Sequence, residues 1–180
     1  QIANERGDTP GMMTHLRAAI VEAAKDTSLG ETLKQMQFQL AQTAQGWAMT
    51  GGAAQKAALN KEAFDIYTGL LAQSPATSEG AYAFSAAAEI VSLNQDSTNA
   101  RLLLEPLVAT PSAYSDLTLI LAADVARSFS RTADAMAMYE GALAKNPNIR
   151  DANYFLAYMY YEAKQPEKMI PLTDKLMQID

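Results

Sequence analysis

Three prolines, Pro75, Pro111 and Pro147, stand at equal intervals of 36 residues. Proline cannot continue a helix interior and biases the residue before it away from helical geometry, so equally spaced prolines predict equally spaced breaks. Between them apolar residues recur three and four apart, and no segment alternates with period two, so the breaks separate helices and not strands. Valine is confined to Val21, Val91, Val108 and Val125 while alanine is abundant, which again disfavours strands. The chain is predicted to be all-α, with one pair of helices per interval.

The stretch 135–180 shows the unit most clearly. Ala135, Tyr139 and Ala142 lie on one helical stripe, Asn146-Pro147 makes a turn, and a second amphipathic segment runs from Asp151 to just before Gln165-Pro166. Similar sets recur upstream: Ala63-x3-Tyr67-x2-Leu70-x4-Pro75, Phe84-Ser85-x2-Ala88, and Leu119-x2-Ala122-Ala123-x2-Ala126. Leu156-Ala157-x2-Tyr160 is a further copy, and Trp47-x2-Thr50-Gly51 reads as the opening one. Two positions depart: Ala100-x3-Leu104 is one residue out of step with Pro111, and Met169-x3-Thr173 lacks the large residue. Pro106 predicts a kinked or shortened helix after residue 97.

This pattern resembles the tetratricopeptide repeat, with its Trp-x2-Leu-Gly-x2-Tyr helix, Ala-x3-Phe helix and closing proline. The resemblance implies a right-handed α-solenoid of antiparallel helix pairs, here one array over residues 1–180 with four to five pairs. The family period is about 34 residues, so roughly two extra residues per unit are expected, at 94–97 and 112–115. Gly51, Ser85, Ala123, Ala157, Ala63 and Ala135 would let helices approach closely, with Trp47, Tyr67, Tyr139 and Tyr160 mostly buried beside them. A helix tail at Asn4, stopped at Gly7, and an end at Asp180, just before an expected proline, predict a slice of a longer array. Leu172, Leu176 and Ile179 are then left without a neighbour.

Local signals set the first boundaries. Thr9 reads as N-cap with Pro10 at the first helical position, and Ser28 with Glu31 reads as a capping box. The helix it opens carries Leu33, Met36, Leu40, Ala44 and Trp47. Gly51-Gly52 is the expected break, with residues 58–60 as the alternative that the repeat pattern offers.

Composition narrows the chemistry. The net charge of −6 gives nucleic acid no excess of cations to meet, and no apolar run approaches the roughly 20 residues that cross a bilayer, so membrane insertion is not expected. Without cysteine there is no thiolate nucleophile, and with His15 as the sole histidine there is no histidine pair for a metal and no Ser-His relay. Glu62 with Asp65, and Asp116 with Asp124, read as exposed helix carboxylates, and Gly51-Gly52 lacks the lysine of a phosphate loop. Met12, Met13, Met136 and Met138 read as core filler. No catalytic residue, metal or cofactor is expected. The start at Gln1 and a surface rich in Gln, Asn, Ser and Thr lean towards an exported or periplasmic protein.

In the family the first helix of each pair lines a concave groove. The resemblance therefore implies a partner surface at Tyr82, Glu89, Asp124, Arg127, Asp151, Tyr154, Tyr158, Tyr161 and Glu162, aromatic and acidic. Relatives that grip the carboxylate end of chaperone tails carry Lys and Asn at groove positions where this chain has Ala48 and Gly52, Tyr82 and Ala86, Ile120 and Asp124, or Tyr154 and Tyr158, so that specificity is not expected. The expected role is a non-catalytic scaffold for a protein or basic peptide, with self-association also open. The alternative is a helper region of a larger enzyme whose catalytic domain lies outside these residues. Tyr154, Tyr158 and Tyr161 share one helix face, bracketed by Asp151 and Glu162, and Tyr160 points the other way.

Overall fold

The computed structural model describes residues 8–179, which form nine α-helices and no strand. They are α1 Thr9–Ala23, α2 Gly30–Ala48, α3 Ala53–Gln73, α4 Ser78–Leu93, α5 Ser97–Ala109, α6 Asp116–Ser128, α7 Thr132–Lys145, α8 Arg150–Glu162 and α9 Pro166–Ile179. The expected all-α architecture of helix pairs is what forms. The chain divides into two compact units, residues 1–73 and 74–180. The expected helix tail at Asn4 and stop at Gly7 lie outside the described residues, as does Asp180.

In the first unit α2 packs against both α1 and α3. Leu40, Ala41, Ala44 and Ala48 supply a seam of mostly small side chains, against which Leu59, Ala63, Phe64, Tyr67 and Leu71 are buried. Phe38 meets the Tyr67 ring edge-on at 5.4 Å, and the Tyr67 hydroxyl bonds Gln45 Oε1 at 3.2 Å. Arg17 on α1 reaches Glu62 on α3 through two bonds of 2.8 and 2.7 Å.

Three expectations fail in this unit, each for a local reason. Asp8, not Thr9, caps α1, because its carboxylate accepts the Gly11 N–H at 2.9 Å and Pro10 falls one position later. Ser28 and Glu31 form no capping box. Asp26 accepts both the Ser28 N–H and the Ser28 hydroxyl, which folds Thr27–Leu29 into a 3-10 turn and leaves Leu29 before the helix. The break, by contrast, is at Gly51-Gly52 as expected, and α3 runs unbroken through the alternative at residues 58–60. Trp47-x2-Thr50-Gly51 therefore sits at the end of α2 and in the following turn, and Trp47, at the edge of the apolar stripe, is only partly buried.

The second unit is more regular. Phe84, Leu119, Ala122, Ala123, Ala126, Ala135, Tyr139 and Ala142 are all fully enclosed, and Leu156, Ala157 and Tyr160 nearly so. Ala100 and Leu104 are enclosed as well, and α5 continues through Pro106 to Ala109 instead of ending early. Ser85 is exposed and takes no part in the close packing. Gly141 does: a Cβ there would lie 2.9 Å from Pro111 Cβ and 3.3 Å from Leu119 Cδ1. Pro111 thus packs onto α7 as well as marking a break.

The 36-residue interval has two different origins. Between Pro75 and Pro111 the extra length is in α4, 16 residues against 13 in α6 and α8, and not in residues 94–97. Between Pro111 and Pro147 it lies in the link 110–115, which winds into a 3-10 turn at Pro111–Ala113. The turns inside each pair are alike. Gln95, Ser130 and Lys164 take positive φ of 49, 57 and 56°. Around them Asp96 N bonds Val91 O, Arg131 N bonds Ala126 O and Gln165 N bonds Tyr160 O, and over a shorter span of chain Gln95 N bonds Ser92 O, Ser130 N bonds Arg127 O and Lys164 N bonds Tyr161 O. That pair of bonds is the Schellman motif, here with no glycine at its left-handed position. A side chain in that conformation costs about 1 kcal/mol, so Lys164→Gly is expected to stabilise the protein by about 0.5–1 kcal/mol in urea unfolding. A loss of stability would show that Lys164 contributes more than its backbone conformation costs.

Candidate partner-binding face

Within the second unit, α6 and α8 bring together part of the expected surface. The order begins with Tyr139 on α7, which is fully enclosed and whose hydroxyl donates to Asp124 Oδ1 at 2.6 Å. Arg127, one turn along α6 from Asp124, donates through Nη1 to the same carboxylate oxygen at 3.1 Å and to the Tyr139 hydroxyl at 3.3 Å. Its guanidinium carbon sits 3.8 Å from the centre of the Phe155 ring, a cation-π geometry. Phe155 is stacked on Tyr139 at 6.1 Å and meets Tyr154 edge-on at 5.4 Å. Two charged groups and three rings are thereby fixed across three helices.

Beside this cluster lies an open cleft of roughly 510 Å³, lined by Arg127, Thr132, Phe155, Tyr158, Met159, Glu162 and Ala163. Arg127, Tyr158 and Glu162 were expected on the surface from sequence, and the structure joins them. Tyr154 flanks the cleft through Phe155. Tyr161 and Asp151 are exposed on α8 but do not line it, and neither do Tyr82 and Glu89, exposed on α4. Tyr154, Tyr158 and Tyr161 expose 56, 55 and 64% of their surface, whereas Tyr160 between them exposes 4%.

Sequence reasoning missed Phe155, Met159 and Thr132, and it placed Tyr139 in the core without the bonds of its hydroxyl to Asp124 and Arg127. Phe155, Met159 and Glu162 stand four and three apart, a stripe that could have been read beside the tyrosines. The two acid pairs prove to be occupied separately. Asp65 pairs with Lys61 at 2.6 Å, Glu62 with Arg17, and Asp124 with Arg127, while Asp116 lies at the start of α6 near Asn146.

Burial raises the Tyr139 hydroxyl far above the ordinary tyrosine range, and the bond to Asp124 adds to it. Tyr160 is raised in the same way, first by burial and then by its bond to Glu140. A pKa raised on folding contributes stability that is intact below the unfolded value of about 10 and is lost as pH rises through the folded value. Unfolding free energy is therefore expected to fall as pH rises beyond about 10, and the fall should be shallower when Tyr139→Phe and Tyr160→Phe are combined. Equal slopes for the parent and the double variant would contradict the raised hydroxyls.

No protein-family model matches the chain, and no curated protein does. Among solved structures it is similar in fold to the crystal structure of MamA, with a TM-score of 0.54 and 13% identity over 98% of this chain and 91% of that one. At that identity the likeness concerns the fold alone, and it agrees with an all-α solenoid of tetratricopeptide-like helical repeats.

Proposed function

We propose that this protein is a non-catalytic interaction module that holds a protein or peptide partner on the aromatic and acidic face of α8 and its neighbour α6. The observation that carries this reading is the contrast along α8. Three tyrosines that share one face remain more than half exposed, and the tyrosine on the other face is buried. Burying such rings in water's place releases about 25 cal/mol per Å² of apolar surface. Tyrosine also loses little conformational freedom on contact, which suits it to interfaces. The helical-repeat fold supports the reading, because stacked pairs present extended faces that single helices cannot.

The paired variants Tyr158→Ala and Tyr160→Ala test it. Tyr158→Ala is expected to leave the melting temperature within a few degrees of the parent and to weaken partner binding by about 1–2 kcal/mol or more. Tyr160→Ala should instead destabilise the fold by about 3–5 kcal/mol. A Tyr158→Ala protein that melts early yet binds normally when folded would return that ring to packing and remove the proposed face.

A further inference from the structure

The polar groups of the cleft differ in status. Arg127 is committed, because its Nη1 bonds Asp124 and Tyr139 and its guanidinium already covers Phe155. Asp124 balances its charge at 3.1 Å. Glu162 has no ion pair or hydrogen bond among the described residues, so the cleft retains an unbalanced negative charge on that carboxylate. Glu162 is also the last residue of α8, where the partial negative charge of the helix end favours cations further. The same cleft is lined by the exposed Tyr158 ring and by the apolar Met159 and Ala163.

We infer that this cleft receives one lysine or arginine side chain of the partner, its aliphatic stem along Met159, Ala163 and the Tyr158 ring and its cationic head at Glu162. The inference rests on the reading of α8 as the partner face and specifies the side chain that face selects. A long cationic side chain fits both halves of the site, since its stem buries apolar surface while its head stays paired. A carboxylate is disfavoured even though Arg127 is near, because Asp124 has already neutralised that arginine and Glu162 would repel the newcomer. Phe155 is not free to offer a second cation-π contact on the face that Arg127 covers, so the Tyr158 ring is left for the incoming cation.

The test is a selection of phage-displayed random dodecapeptides on the full 180-residue chain, on Glu162→Gln, and on Tyr158→Ala, each first shown to melt as the parent does. Parent selections should enrich peptides with one lysine or arginine beside apolar residues. A synthetic copy of the enriched peptide should bind Glu162→Gln roughly tenfold more weakly at low salt, and should lose as much when its own cation is replaced by norleucine. Both losses should shrink as salt is raised. Peptides that need Tyr158 but carry no cation, or that bind Glu162→Gln equally, would overturn the inference and leave the α8 face standing. Acidic peptides lost on Arg127→Gln would overturn it in favour of a carboxylate. Enrichment of nothing, or of peptides indifferent to Tyr158→Ala, would remove both the inference and the face it rests on.

Discussion

Tyr139 is the residue on which the second unit's order depends. It is enclosed on α7, and its hydroxyl holds Asp124 and Arg127 on α6. A phenol enclosed without a partner would forfeit a hydrogen bond that water supplies in the unfolded chain, so the enclosed position requires the acceptor that Asp124 provides. Asp124 in turn fixes Arg127, Arg127 lies on Phe155, and Phe155 stacks back on Tyr139. The loop of contacts closes on its starting residue. Packing and surface chemistry therefore share one side chain, and the cation that would otherwise dominate the cleft is held by the Tyr139 hydroxyl and neutralised by Asp124.

The same economy of small against large runs through both units. Alanine seams at Ala41, Ala44 and Ala48 in one, and at Ala122, Ala123, Ala126 and Ala135 in the other, bring helix axes close enough for Tyr67 and Tyr139 to fill the space between them. Short links enforce the pairing. The turns at Gln95, Ser130 and Lys164 use one backbone solution three times, and they do so with side chains that strain at positive φ. Outside those turns the repeat tolerates insertion, as a longer α4 in one interval and a longer link in the next.

Much of this was legible in the sequence, and the failures have specific causes. Ala63, Tyr67, Ala135, Tyr139, Leu156 and Tyr160 announced core positions because buried stripes leave a periodic apolar record. Trp47 misled because the repeat signature fixes residue types and not their place on a helix, and Thr50-Gly51 continued the motif into a turn. The caps at Asp8 and Asp26 were misassigned by one or two residues, since several neighbouring side chains there could each accept the same backbone N–H. The left-handed turns were invisible because glycine, their usual marker, is missing from them. In the candidate site, Tyr158 and Glu162 were readable as exposed groups on α8, and Arg127 as a groove position on α6 that the family resemblance implies. The Phe155 stripe could have been read from its spacing, but the contacts of Phe155 with Arg127 and Tyr139 and the bonds of the Tyr139 hydroxyl could not, because contacts between helices are not encoded in local spacing.

The α8 tyrosines are an open face laid over a closed core, and native-state nitration of the tyrosines with tetranitromethane, mapped by mass spectrometry, distinguishes the two sets. Tyr154, Tyr158 and Tyr161 are expected to be nitrated while the protein is folded, with Tyr67, Tyr139 and Tyr160 protected until it unfolds. Protection of Tyr158 together with Tyr154, or nitration of Tyr139 in the folded protein, would contradict the account.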